Sequence, residues 1–257
     1  MLIASSGTDP QGDRFNYLNT ALREIKTDFI DEHYYRPPQF FFSNVNRYDN
    51  YPRNGSKVFA GEYASHTQGT TGPVKNNWLD ALSEAAFLTG LERNAEVVQM
   101  ASYAPLFAHY HGWQWAPDLI WVNNLNVVGS PSYYVQKLYS TNKGTDVIPI
   151  SLDGKAIAGQ DSLYATAAID AASNEIILKI VNALPKQQSI TLDIKGVKKL
   201  TTSAKQTTLH SEALDVVNNL DKPKMISPKV TDIKLQGKKS TLLLKAYSFN
   251  VIRIKYS

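Results

Sequence analysis

The hydropathy of this chain changes period once, and that change limits what it can fold into. Up to about residue 140, short apolar runs alternate with segments of helical spacing; beyond Asn142-Lys143-Gly144 the period falls to two. Residues 2–5 read as a short buried strand, and Phe15, Leu18, Leu22 and Ile25 recur at helix spacing. Residues 28–35 read as a strand, and a short helix is expected at 38–44 within the proline- and aromatic-rich stretch 36–53. Residues 57–63 form a further strand, and 76–91 a helix with Trp78, Leu82, Ala85 and Leu88 on one face. A second helical piece is expected at 94–103, a last apolar strand at 118–122 and a closing helix at 132–140. Repeated strand–helix order implies parallel strands joined by crossover helices. Four such units fall short of a complete eight-fold barrel, which needs roughly 200 residues or more. This part is a small open α/β sheet, or half of a barrel.

The second part carries period-two strands at 162–169, 175–182, 188–194, 199–202, 207–209, 240–245 and 248–254. Ile176, Leu178 and Ile180 interleave with Ile177, Lys179 and Val181, so both faces of that strand contain apolar residues and are expected to be buried. Short strands without helices predict an antiparallel β-sandwich. No segment repeats at a fixed period, which excludes solenoids and propellers.

Composition narrows the function. The chain has no cysteine, so disulfides, thiolate metal sites and cysteine nucleophiles are excluded together. Residues 1–133 carry 9 basic and 13 acidic side chains; residues 134–257 carry 18 and 10. All four tryptophans and eight of the nine phenylalanines lie in the first part. The excess lysine is spread along alternating segments, as at Lys195, Lys198, Lys199, Lys238 and Lys239, with no basic run and no interleaved aromatics to stack bases. That reads as a solvated sheet face, and nucleic acid is not an expected partner. No run of about 18 apolar residues is present, so no membrane span is expected. Met1-Leu2-Ile3-Ala4 lacks a basic flank and meets Gly7 and Asp9 too soon for a signal peptide.

The chain lacks a phosphate-binding P-loop, a dinucleotide glycine fingerprint, a His-Glu-x-x-His pair and a Gly-x-Ser-x-Gly elbow. His109 and His111 stand two apart, but no third ligand is placed near them in sequence, and no metal is expected. Glu62 is the informative residue. It follows Val58-Phe59-Ala60-Gly61 at the carboxyl end of a buried strand, the edge where α/β folds bind ligands. A carboxylate there has a purpose or a partner, because unpaired burial is costly. A salt bridge or a helix cap is the plainer reading. Asp31, Glu32 and His33 end the other strand in the same way, followed by Tyr34 and Tyr35. Phe40, Phe41, Phe42, Tyr48, Tyr51, Tyr63, Trp113 and Trp115 populate the loops around these ends. Carboxylates beside aromatic platforms point to carbohydrate, and glycoside hydrolysis uses two carboxylates.

The runs Asp31-Glu32-His33-Tyr34-Tyr35, Tyr48-Asp49 with Arg53, and Lys57-Val58-Phe59-Ala60-Gly61-Glu62-Tyr63-Ala64 carry a resemblance. So do Leu91-Glu92-Arg93-Asn94, Ser102-Tyr103-Ala104-Pro105-Leu106-Phe107, Trp115-Ala116-Pro117-Asp118-Leu119-Ile120-Trp121 and Gly129-Ser130-Pro131-Ser132-Tyr133-Tyr134-Val135-Gln136. Residues 1 to about 140 resemble the α-L-arabinofuranosidases of glycoside hydrolase family 51. The later part resembles that family's carboxy-terminal sandwich, with Ile180-Val181-Asn182 and Ala246-Tyr247-Ser248 as weaker markers. The resemblance implies strands five to eight of a (β/α)8 barrel over 1–140 and a jelly-roll-like β-sandwich over 141–257.

It also implies a retaining hydrolase that removes terminal α-L-arabinofuranosyl residues from arabinose-containing polysaccharides. Glu62 maps onto the catalytic nucleophile, and His33 and Tyr35 onto the residues supporting it. Trp113 and Trp115 are expected to line the approach of substrate. No cofactor is implied. The family's acid/base glutamate, in an Asn-Glu pair, has no counterpart here, so the chain reads as a carboxy-terminal fragment with little activity alone. Glu32 as a substitute acid is disfavoured, since it must face the site at the same height. The uncovered half-barrel implies self-association. Polysaccharide degradation favours an extracellular or periplasmic setting. The alternatives are a non-catalytic carbohydrate-binding or scaffold protein, and another retaining barrel glycosidase such as a β-xylanase.

Overall fold

The computed structural model describes residues 1–257. Strands β1 (Ile3–Ser5), β2 (Phe29–Arg36), β3 (Lys57–Ser65) and β4 (Val98–Tyr103) form one sheet in that order, each pair parallel. Helices α1 (Asp13–Glu24), α2 (Pro38–Ser43) and α3 (Trp78–Arg93) lie on the connections. Residues 94–103 are thus not a second helical piece. Asn94 caps α3, and Val98–Tyr103 pairs with β3. The helix-forming residues of that stretch carry a propensity of only tenths of a kcal/mol each, which a parallel ladder overrides. The apolar run at 118–122 likewise does not join the parallel sheet. It enters a separate sheet of β5 (Phe107–His109), β6 (Ile120–Val122) and β7 (Val127–Gly129). Helix α4 (Pro131–Thr141) follows, with the Ser130 hydroxyl accepting the Tyr133 N–H at 3.1 Å.

Eight strands come next: β8 (Asp146–Ile148), β9 (Leu163–Asp170), β10 (Glu175–Asn182), β11 (Gln188–Asp193), β12 (Ser203–His210), β13 (Lys229–Lys234), β14 (Lys239–Leu244) and β15 (Ser248–Lys255). Six form an antiparallel sheet in the order β13-β12-β15-β10-β9-β8, and β11 pairs with β14. The strand expected at 199–202 reduces to a single bridge between Leu200 and Tyr256. Edge strands β8 and β13 carried no apolar alternation, because most of their residues are exposed. Both faces of β10 are covered. Ile176, Leu178 and Ile180 join Leu192, Leu242 and Leu244 between the two sheets, while Ile177 and Val181 join Tyr164, Leu209, Phe249 and Val251 toward the first part.

Helix α3 occupies that second core. The sequence assigns it one apolar face, but from Trp78 to Leu91 only Leu79 escapes full burial. It is enclosed by β3, α2, α4 and the six-stranded sheet. Its first amide groups are satisfied partly by the sandwich: the Trp78 and Leu79 N–H groups donate to the carbonyls of Val216 and Leu214 at 2.9 and 2.8 Å. The Asp80 N–H donates to Asn77 Oδ1 at 3.1 Å, and the Trp78 indole to the Tyr247 carbonyl at 2.9 Å. Gly90 admits the α2–β3 connection, since a Cβ there would lie 1.9 Å from the Val45 carbonyl oxygen. At the other end, fully buried Lys179 of β10 donates to Glu92 and, at 2.8 Å, to the Asn142 carbonyl, with the Tyr139 ring 5.2 Å away. No helix is long and apolar enough to cross a membrane.

Two stability outcomes follow. Glu92→Ala strands a buried ammonium and is expected to cost about 3–5 kcal/mol, whereas replacing the whole pair, Lys179→Met with Glu92→Leu, stays within about 1–2 kcal/mol of wild type. Chemical denaturation of both variants measures the difference. Asp80, buried between Ser65, Thr67 and the helix start, has its carboxyl pushed up to about 6 by burial, against hydrogen bonds that lower it. Its folded state favours the neutral acid, so that contribution is present below about pH 4 and is lost as pH rises through 6. Wild type should therefore weaken relative to Asp80→Asn between pH 4 and 7, by up to about 3 kcal/mol, in urea titrations at each pH.

Candidate active site

Strand β2 alternates strictly. Ile30, Glu32 and Tyr34 point to the helix side and are buried, while Asp31, His33 and Tyr35 point to the other face. Strand β3 would place Lys57, Phe59 and Gly61 on that second face by the same rule, and Glu62 on the wrong one. A bulge prevents this. Glu32 pairs with Ala60 and His33 with Glu62, so Gly61 is the extra residue. The shift brings Glu62 onto the face of His33 and Tyr35. Gly61 is needed there because a Cβ would sit 2.0 Å from Asp31 Oδ1. The Ser102 hydroxyl, from β4, holds the bulge by donating to the Gly61 carbonyl at 2.5 Å.

The resulting cluster has a defined proton order. Tyr35 donates its hydroxyl to Glu62 Oε2 at 2.8 Å. Burial first, then the neighbouring Glu62 carboxylate, raises the Tyr35 pKa, so the hydroxyl stays protonated and keeps donating. His33 Nε2 lies 2.7 Å from Asp31 Oδ2; an ionised carboxylate only accepts, so Nε2 carries the hydrogen. Nδ1 then faces Glu62 Oε2 at 3.6 Å. In the neutral ring that contact sets a lone pair against a carboxylate; in the imidazolium it is an ion pair. The Glu62 side chain is 44% exposed, whereas those of His33 and Asp31 are 13% and 17% exposed. The most open carboxylate of the cluster is thus the one that the Tyr35 hydroxyl holds from behind.

Trp115 meets Tyr35 edge to face at 6.1 Å and stands beside the cluster. Trp113 is one step farther, packed on Gly72 and 6.5 Å from Trp121. Both indoles are exposed, at 37% and 52% for Trp113 and Trp115. Glu32 does not share the site. It lies on the opposite face, buried, and accepts from the hydroxyls of Tyr34, Tyr48 and Tyr51 at 2.6, 3.0 and 3.1 Å. Arg47 reaches it twice at 3.2 Å and Asn19 at 3.3 Å. This cage makes it a structural carboxylate, and the strand-end reading that grouped it with Asp31 and His33 fails for a period-two reason. One residue escaped sequence reasoning. Asp118 is buried, its Oδ2 has no partner, and burial pushes its carboxyl up to about 6. Its charge adds to that of Glu62 in raising Tyr35. The available signal was a carboxylate set directly before the apolar run Leu119-Ile120-Trp121.

Known proteins share this sequence and fold. A family model described as the α-L-arabinofuranosidase C-terminal domain matches residues 61–248. An extracellular exo-α-L-arabinofuranosidase of Streptomyces chartreusis is 49% identical over 148 residues, covering 58% of this chain and 17% of that protein. α-L-Arabinofuranosidase 2 of Arabidopsis thaliana is 33% identical over 228 residues, covering 87% of this chain and 32% of that protein. The chain therefore spans about a third or less of these relatives. Among solved structures, an arabinose-bound MgGH51 α-L-arabinofuranosidase superposes with a TM-score of 0.80 at 30% identity, over 95% of this chain and 42% of that one. The Thermotoga maritima α-L-arabinofuranosidase shares the fold at a TM-score of 0.73 and 16% identity, over 98% and 56%. The four parallel strands are thus the second half of a (β/α)8 barrel, and the antiparallel strands are the sandwich that follows it. With its family model, its relatives and its fold in agreement, the chain belongs to the α-L-arabinofuranosidases of glycoside hydrolase family 51 and corresponds to their carboxy-terminal portion.

Proposed function

We propose that this chain carries the nucleophile half of a retaining α-L-arabinofuranosidase, with residues 1–140 as barrel and 141–257 as sandwich. One observation carries the reading: Glu62 is a half-exposed carboxylate in the carboxyl-terminal half of a parallel strand, held from behind by the Tyr35 hydroxyl. In the first step a Glu62 oxygen attacks the anomeric carbon of a terminal α-L-arabinofuranosyl unit, and the bond to the leaving oxygen breaks. The leaving oxygen takes its proton from an acid. In the second step water, deprotonated by that same group, releases the sugar from Glu62. Tyr35 steadies the carboxylate before attack and the ester oxygen after it. His33, fixed by Asp31, faces the same oxygen at 3.6 Å and becomes its ion-pair partner when protonated. Trp115 and Trp113 present ring surface to the glycan.

The general acid is not supplied by Glu32, which is caged, nor by Asp31, which is committed to His33. The resemblance implies that the family's acid lies in the part of the relatives' length outside this chain. The chain alone is accordingly expected to hydrolyse an aryl α-L-arabinofuranoside at least about 10²–10⁴-fold below a complete enzyme.

The nucleophile is tested without the acid. A 2-fluoro-α-L-arabinofuranosyl donor with a dinitrophenolate leaving group departs unaided, and should label Glu62 by peptide mass mapping. Glu62→Gln abolishes labelling, and Tyr35→Phe slows it about tenfold or more, the worth of one hydrogen bond to a charged group. A label on another residue, or equal labelling by a xylopyranosyl counterpart, sinks the assignment. The open β1 edge, with Leu2 55% and Ile3 40% exposed, supports self-association. Sedimentation velocity should show species larger than the 28.6 kDa monomer.

A further inference from the structure

A second polar hollow, of about 230 Å³, is lined by His109, His111, Asn123, Asn124 and Leu125. It lies where the end of β5 meets the turn between β6 and β7. The turn is held by its own side chain: Asn123 Oδ1 accepts the N–H groups of Leu125 and Asn126 at 2.9 and 2.7 Å. Asn124 Oδ1 faces His109 Nε2 at 3.3 Å, and His109 Nδ1 accepts the His111 N–H at 3.2 Å. His109 therefore carries its proton on Nε2 and donates to Asn124. Both amide oxygens are occupied, and both amide nitrogens have no protein partner. Amide N–H donors without a protein partner are thus available on residues that line the hollow.

Its lining contains no lysine, arginine, aspartate or glutamate. A phosphate or carboxylate ligand would find no counter-charge, and a cationic one no carboxylate. A metal ion would find two imidazoles, one with Nδ1 already engaged. The matching chemistry is a neutral molecule dense in oxygen acceptors with an apolar C–H face, for which Leu125, 90% exposed, offers contact. A sugar unit has both.

The hollow is also joined to the Glu62 site. Buried Trp121 packs beneath both Trp113, at 6.5 Å, and Tyr110, at 6.0 Å, and those two surface rings lead on to His111, 5.8 Å from Tyr110, and His109, 6.0 Å from His111. Trp115, two residues from Trp113, touches Tyr35, whose hydroxyl bonds Glu62. We infer that the hollow is a distal sugar subsite, gripping a glycan unit several positions away from the one at Glu62. The choice of arabinose as that sugar rests on the reading of Glu62 given above; the hollow's preference for a neutral, hydroxyl-rich ligand does not.

Titration calorimetry of the whole 257-residue chain with linear arabino-oligosaccharides of two and six units tests this. The six-unit sugar should bind about tenfold tighter than the two-unit sugar, as one or two added hydrogen bonds require. His111→Ala with Asn124→Ala, both at exposed positions, should erase that gap and leave the two-unit affinity unchanged. Trp113→Ala should reduce the gap in part. Equal affinities in wild type, or a gap that survives the double substitution, overturns the distal subsite. Zinc binding that the double variant loses, without any length dependence in sugar affinity, replaces it with a metal site. If the length dependence holds but Trp115→Ala and Tyr35→Phe leave the two-unit affinity untouched, it is the Glu62 reading that fails instead.

Discussion

The structure depends on the complete enclosure of helix α3. A helix normally buries one stripe and keeps the other in water. This one is surrounded, with the parallel sheet on one side and the six-stranded antiparallel sheet on another. Its leading amides donate to a loop of the sandwich, and Glu92, in its last turn, pairs with a lysine of β10. Neither half can lose the other without exposing that helix and leaving buried polar groups unpaired. The sandwich is therefore the outer wall of the barrel's core as well as a core of its own. Because α3 follows β3 directly, the enclosure also holds in place the strand that carries Glu62.

Two glutamates show how strongly position decides chemistry. Glu32 and Glu62 are neighbours across a parallel ladder. Glu32 faces the helices, where three phenols, a guanidinium and an amide satisfy it. So fully paired a carboxylate is a structural element with little capacity left for a substrate. Glu62 faces the open side with one direct donor and one imidazole close by. Its remaining lone pairs have no protein donor. The difference arises from one inserted residue. Without the bulge at Gly61, strand period two would send the Glu62 side chain toward the helices.

The order of the fold was legible wherever a segment has one buried side. Helices α1, α2 and α4, strands β1 to β3 and most of the sandwich fall where their spacing predicted. Legibility failed at segments whose neighbours decide their state. Val98–Tyr103 is a strand because β3 offers it a ladder, although its residues read as helix. β13 lies at a sheet edge with nearly every side chain in water, so it left no alternation to read. In the site, Glu62, His33, Tyr35 and Trp115 could be nominated from residue type and from the resemblance. Asp118 was passed over, because its segment reads as an apolar strand and the burial of its carboxylate is set by the fold around it.

By itself the sequence determined the parallel-then-antiparallel division, the absence of any thiol from the chain, and the carboxylates and aromatic rings that crowd the two strands β2 and β3. These follow from local pattern and composition, which do not depend on distant partners. Tertiary structure alone decided which glutamate shares a face with His33 and Tyr35, how His33 holds its proton, and that α3 is buried on every side. Each of those is set by contacts between residues far apart in the chain: Asp31 against Gly61, Tyr35 against Glu62, Trp78 against Val216. Such contacts form only when the strands register and the two sheets close on the helix between them.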